Sequence, residues 1–354
     1  MGVVGIVAEY NPFHAGHAFH LTESRRRLGE CTAVAVMSGN FVQRGEFAVY
    51  DKFTRARSAL ENGADLVIEL PAAYSTLSAE GFCRAGVKLL EATGIVERLA
   101  FGAENDHLDE LKGIAEKLLD KATQKKITEE MKSGISFAAA RSKVLDTELL
   151  DSPNNILAVE YLKATKLPCV AVKRIGKGHD TDDEEYSSSA IRSKLSGDEI
   201  SSMRNCEIAV LSKLRTMTAQ DFLKIADVSE GLENRIAQAV RNAATLDELY
   251  ELIKSKRYAH SRIRRIILRA YLGIYDAPKE PPYIRILGFN AKGKALLSEM
   301  KKRASKPIIT KLSDCDDSTL PFFEQECKFT DLYNLGYKLP RPCGTEQRSK
   351  IVIV

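Results

Sequence analysis

No apolar run in this chain approaches the ~20 residues that a membrane-spanning helix needs. The seven cysteines are odd in number and scattered, with no C-x-x-C pair. That spacing excludes a disulfide framework and offers no zinc site, so no metal ligands are expected and a reducing, cytoplasmic setting is. The opening MGVVGIVAEYNPF lacks a basic n-region and a cleavage signal, so no signal peptide is expected. Met1-Gly2 is no myristoylation signal on this reading, because the strand that follows buries that end. Internal repeats and low-complexity tracts are missing too. Charge of one sign is also scarce: 52 Lys+Arg stand against 48 Asp+Glu, a net +4. A balance that small identifies no nucleic-acid partner, so local clustering has to carry that inference.

What is present fits an ordinary globular protein, with 44% hydrophobic residues and, at 354 residues, room for about two domains. The stretch that organises it is Val3 to Leu21, VVGIVAEYNPFHAGHAFHL. Its continuous β-branched opening suits a strand buried on both faces. Asn11-Pro12 ends the strand, and a helix follows from about Gly16 to Leu28. His14 and His17 therefore fall at a strand–loop–helix junction. A helix start favours an anion, and a glycine there lets one come close. Two imidazoles three residues apart can serve one side of the turn and stabilise charge on a breaking phosphoanhydride.

Strand and helix signals then alternate. Strands are expected at Thr32–Met37, Leu66–Leu70, Arg98–Phe101 and Val170–Arg174. Helices are expected at Asp51–Asn62, with Asp51 as cap, at Ala79–Ala92, and after Ser152-Pro153, with Ser152 as cap. This alternation predicts an α/β fold, a Rossmann-like parallel sheet covered by helices. Ligands of such sheets sit at the carboxyl ends of the strands. Asn11–His17, Ser38–Gly45, the Pro71 loop and Gly102-Ala103-Glu104 all fall there. We place a catalytic domain at 1–196, with a charged helical insertion at about 106–148, and a mainly helical domain at 197–354. Asp276–Pro282 reads as a linker, with short strands near Tyr283–Leu287 and Lys306–Thr310.

Two further stretches carry chemistry. In YSSSAIR, Ser187–Ser189 can donate to phosphate oxygens and Arg192 can hold phosphate by two parallel hydrogen bonds. Lys254–Tyr271, KSKRYAHSRIRRIILRAY, has seven cations and no acid, with tyrosine and histidine interleaved. That suits RNA, whose phosphates bind cations and whose bases stack on planar groups.

NPFHAGH resembles the signature of the HIGH-motif nucleotidyltransferase superfamily, which includes class I aminoacyl-tRNA synthetases. With SGNFVQRGE, SPNNILAVEYL and YSSSAIR downstream, the chain closely resembles the bacterial tRNA(Met) cytidine acetate ligases along nearly its whole length. That resemblance implies an ATP-dependent RNA-modifying ligase. Acetate becomes acetyl-adenylate, with Mg2+ accompanying the nucleotide. The acetyl group then passes to the N4 amine of the wobble cytidine of elongator tRNA(Met). It implies catalytic roles for His14, His17 and Arg192. It implies ATP contacts from Val7, Ala8, Glu9, Tyr10, Asn11, Pro12, Phe13, Gly16, His20, Gly102, Asn154, Arg174, Ile175, Ser188 and Ser189. Gln43, Arg44, Lys52 and Arg55 are expected on the substrate side, and Lys256, Arg257, Arg262, Arg264 and Arg265 on the tRNA. A plain adenylyltransferase for a small phosphorylated metabolite is the alternative, but the long basic C-terminal half argues against it. A non-catalytic adenine-nucleotide sensor is another, and the two phosphate motifs argue against that. Oligomeric state leaves no mark in the sequence.

Overall fold

The structure is a computed structural model that describes residues 2–105, 107–174, 188–229, 231–255 and 258–354. Its first seven strands are β1 (Gly2–Ala8), β2 (Cys31–Ser38), β3 (Phe41–Val42), β4 (Glu46–Phe47), β5 (Leu66–Leu70), β6 (Arg98–Ala103) and β7 (Cys169–Lys173). The β-branched runs are the strands, as their lack of polar alternation requires for a sheet covered on both faces. Five of them form a parallel sheet in the order β5-β2-β1-β6-β7. Chain order runs outward one way from β1 to β5 and then turns back at β6. The switch point lies between β1 and β6, where the carboxyl ends leave a crevice.

Helices alternate with these strands: α1 (Ala15–Leu28), α2 (Lys52–Glu61), α3 (Ala72–Ser75), α4 (Ala79–Ala92), α5 (Leu108–Leu119), α6 (Lys121–Met131), α7 (Phe137–Leu145), α8 (Pro153–Ala164) and α9 (Ser188–Lys194). Residue alternation sorts them into layers. Val34 and Val36 of β2 pack with Phe82 and Leu89 of α4 and Ala158 of α8. Ala33 packs with Leu21 of α1, and Ala35 and Met37 with Ala56 and Ala59 of α2. Each buried Val, Leu, Phe or Met among them stabilises by ~1.5–3 kcal/mol relative to exposure, and each alanine by less. Asp51 caps α2 as expected, accepting from the Phe53 and Thr54 backbone. Ser152 precedes α8 but makes no side-chain cap, and its hydroxyl is buried without a partner. Pro153 removes one donor that a cap would have met.

The second half is a helical lobe: α10 (Glu207–Arg215), α11 (Ala219–Leu223), α12 (Leu232–Asn242), α13 (Leu246–Ile253) and α14 (His260–Leu272). Its core also takes in Phe41 and Phe47. The stretch Ser38–Ala56, which reads in the sequence as a polar loop entering a helix, opens instead into an antiparallel β3–β4 hairpin whose aromatic residues face the lobe. Gly45, at φ 77°, turns the hairpin, and a Cβ there would lie 2.3 Å from the Arg265 nitrogen. Only glycine lets α14 pack this close.

The chain then returns to the sheet. β8 (Ile284–Phe289) pairs antiparallel with β5, and β9 (Ile308–Ile309) and β10 (Val352–Ile353) pair in parallel with β8. α15 (Ala291–Arg303), α16 (Leu320–Asn334) and α17 (Thr345–Arg348) complete this part. The late strands expected from sequence exist, but they extend the first sheet, so strand pairing carries the chain back across position 196. A buried charge network fastens the return. Lys52 lies 2.7 Å from Glu69 and 2.8 Å from Glu346, and Arg285 lies 3.4 Å from Glu346, with all four side chains at most 3% exposed.

Candidate active site

The crevice at the switch point holds the first motif. His14 caps α1, its Nδ1 accepting from the Gly16 N–H at 3.0 Å, while His17 Nδ1 accepts from the His14 N–H at 3.3 Å. The two rings stack with centroids 3.8 Å apart. Burial, with the nearby Arg174 and Arg192 charges, lowers the His14 pKa to about 4. Burial pushes His17 well below its usual value, helped by the charges of His14 and His20. Both imidazoles are therefore neutral near pH 7, and with Nδ1 accepting, each proton sits on Nε2. The sequence suggests open backbone donors at this helix start. Gly16 is in fact taken by His14, so the Nε2–H groups are the donors on offer. Tyr10, at φ 47° and 2% exposed, packs behind His17 at 4.9 Å between centroids, with Phe13 beside it. Asn11 is buried, accepts from the Val49 backbone, and joins Pro12 by a cis peptide.

The second motif comes to the first. Arg192 Nη1 donates to the Asn11 carbonyl at 2.8 Å and Nη2 to Ser189 Oγ at 3.2 Å, on the helix that Ser188 begins. Beyond β6 lies a third group. Asn154 Nδ2 donates to Glu104 Oε1 at 2.6 Å, Asn155 accepts from the Glu104 backbone at 2.9 Å, and Arg174 stands 3.9 Å from Glu104. His20 hydrogen-bonds the Phe101 backbone, and burial lowers its pKa to about 4. Its Nε2 is buried without a partner. A Cβ on Gly102 would meet Arg174 and His20 at ordinary distances of 3.6–4.0 Å. The protein alone thus leaves room for a side chain at Gly102, next to an orphaned polar atom. Both features fit a planar ligand filling that space.

Glu9 follows β1, beyond Val7 and Ala8. Its carboxylate accepts from the Gln43 backbone at 2.6 Å, and it is half-buried. Burial raises its pKa, while Gln43 and the charges of Arg44, Arg192 and Arg55 draw it back. Gln43 and Arg44 stand at the hairpin turn beside it, Arg44 exposed.

Several expected contacts are instead internal. Lys52 is enclosed by Glu69 and Glu346 and 1% exposed, out of reach of a substrate. Arg55, 1% exposed, donates to the carbonyls of Glu9, Ser38, Gly39 and Tyr50, tying off the ends of β1 and β2. In α14, Arg262 donates to the Asp227 carbonyl and to Ser229, and Arg264 pairs with Glu46 and lies over Tyr250. Arg265 is buried against Asp227. An acid-free stretch draws its acids from elsewhere in the fold, so these arginines are not a free RNA-binding face. Ile175, Ser187, Lys256 and Arg257 lie outside the described residues. Sequence reasoning did not select Glu104, Asn155 or Glu46. Glu104 carried a signal, its place at a strand's carboxyl end, and Asn155 its pairing with Asn154.

The family model described as HIGH Nucleotidyl Transferase matches residues 1–348. The chain is 40% identical to the tRNA(Met) cytidine acetate ligase of Thermoanaerobacter sp. (strain X514), over 96% of each chain. It is 37% identical to the ligase of that name from Acetivibrio thermocellus, over 100% of each. A crystal structure of Thermotoga maritima TmcAL bound with alpha-thio ATP superposes with a TM-score of 0.90, at 32% identity and covering 100% of both chains.

Proposed function

The chain belongs to the HIGH nucleotidyl transferase family, among the tRNA(Met) cytidine acetate ligases, and from that premise we infer that it is a ligase that acetylates a tRNA cytidine at the expense of ATP. The substrates are ATP, acetate and tRNA(Met). The acceptor in our reading is the N4 amine of the wobble cytidine of the elongator species. A tRNA substrate also puts the enzyme in the cytoplasm, and among the described residues no helix is long and apolar enough to cross a membrane.

In this reading the adenosine lies over Gly102, near His20, Asn154 and Arg174, and the triphosphate lies at the start of α1. An acetate oxygen attacks the α-phosphorus in line and pyrophosphate leaves. His14 and His17 present neutral N–H donors to the phosphoryl oxygens as charge builds, at no cost of reorientation because the capping bonds already fix both rings. Arg192 holds the departing pyrophosphate. Among the described residues no three His, Cys, Asp or Glu converge as a metal site. Bound with the nucleotide, magnesium would neutralise charge on the phosphates. The observation that carries this reading is the Arg192–Asn11 bond, which brings the second phosphate motif onto the first. The test is acetate-dependent ATP–pyrophosphate exchange, followed by mass spectrometry of tRNA nucleosides after incubation with all three substrates. No exchange with acetate, or an unmodified cytidine, refutes it.

A further inference from the structure

Transfer of the acetyl group poses a chemical problem that the phosphate motifs do not solve. The exocyclic amine of cytosine is a weak nucleophile, because its lone pair is delocalised into the ring. As its nitrogen bonds to the acetyl carbon, one of its protons must go to a base. The imidazoles are poor candidates, since both Nδ1 lone pairs of His14 and His17 are committed to backbone N–H groups. Glu104 is engaged by Asn154 and lies near Arg174, and Glu46 is held by Arg264.

Resting on the acetate-ligase reading, we propose that Glu9 is the general base of the transfer step. It stands between the phosphate motif and the hairpin that faces the helical lobe. One carboxylate oxygen is fixed by the Gln43 N–H at 2.6 Å, and among the described residues Glu9 has no ion-pair partner. It is half-buried, so a substrate can reach it. Dense surroundings strengthen it as a base by disfavouring its charge. The step balances. The N–C bond forms, and the bond from acetyl carbon to phosphate oxygen breaks. AMP leaves with that electron pair, and the amine proton passes to Glu9 and then to solvent.

The test separates the half-reactions. Hydroxylamine, a strong nucleophile that needs no base, traps acetyl-adenylate as acetohydroxamate. In Glu9→Gln, whose amide oxygen can still accept from Gln43, single-turnover acetylation of tRNA should fall by ~10²–10⁴. Hydroxamate formation, read at saturating ATP so that any weakened ATP contact is offset, should fall by much less than transfer, and tRNA binding should hold. Glu9→Asp should regain part of the transfer rate. The charged and titratable groups facing Glu9 are Arg44 on the hairpin, Arg55 on α2, Arg192 on α9 and Tyr161 on α8. Tyr161, which burial holds well above its usual value, stays neutral across pH 5–8, so the wild-type transfer rate should rise through the one ionisation of Glu9, above the usual carboxylate range. Glu9→Gln should lose that rise. Wild-type transfer by Glu9→Gln, a parallel loss of both half-reactions, or a loss of tRNA binding overturns the assignment. If the wild-type enzyme forms no hydroxamate from ATP and acetate, the acetate reading itself fails and takes this role with it.

Discussion

Lys52→Met should unfold the protein more easily rather than weaken its grip on substrate. The ammonium sits 2.7 Å from Glu69 and 2.8 Å from Glu346, in a site where no member is more than 3% exposed. At an effective dielectric of about 20, each contact is worth on the order of 6 kcal/mol of attraction, set against several kcal/mol to dehydrate each ion. Formation of such a network nets little, but removing the ammonium strands Glu69 and leaves Glu346 with Arg285 alone, which costs ~3–5 kcal/mol. Scaling the unfolding entropy to a chain of this length turns that into a fall in Tm of roughly 4–7 °C, if the chain unfolds as one unit. Differential scanning calorimetry reads it directly. The double variant Lys52→Met/Glu69→Gln should recover part of the loss, because it removes the stranded charge and keeps the Arg285–Glu346 pair. A Lys52→Met protein with wild-type Tm but impaired tRNA binding would refute this and return Lys52 to the substrate surface.

His17→Ala should lower acetate-dependent pyrophosphate exchange by ~10²–10³ with the fold retained, as circular dichroism would confirm; near-normal exchange would remove His17 from the chemistry. Long-range nitrogen NMR should find His14 in the neutral Nε2–H form at pH 6, given its pKa of about 4. Glu326 is a buried carboxyl raised to about 8, first by burial and then by the charge of Glu69. A folded pKa above the unfolded one means that the native state holds the extra proton, so stability should fall as pH rises from about 4.5 to 8. Glu326→Gln should flatten that part of a stability–pH curve measured by urea denaturation.

The strands were legible because a buried parallel sheet leaves a continuous apolar signature. Leu66–Leu70 was found to the residue, and Thr32–Met37 lies inside Cys31–Ser38. The approach of Arg192 to the first motif was legible only through the order of two short patterns, since nothing local connects it to Asn11. Partners of charged residues were not legible at all. Arg264 meets Glu46 across 218 positions, and Lys52 meets Glu346 near the other end of the chain. Composition gives the number of charges but not which of them the fold will cover. The Gly45 turn, whose aromatic strands belong to the lobe's core, was likewise hidden within a polar loop.

The antiparallel strand β8 sets a timetable for biosynthesis. A ribosome delivers β5 long before β8, so Val67 and Ile68 wait with one edge open, and Lys52 and Glu69 wait without Glu346. An unpaired apolar edge of this kind invites strands from other nascent chains. The first two hundred residues carry both phosphate motifs, yet released alone they would be a client for chaperones rather than a smaller enzyme. Strand β8 thus acts as a completion check, holding back a finished sheet until the helical lobe has also been made.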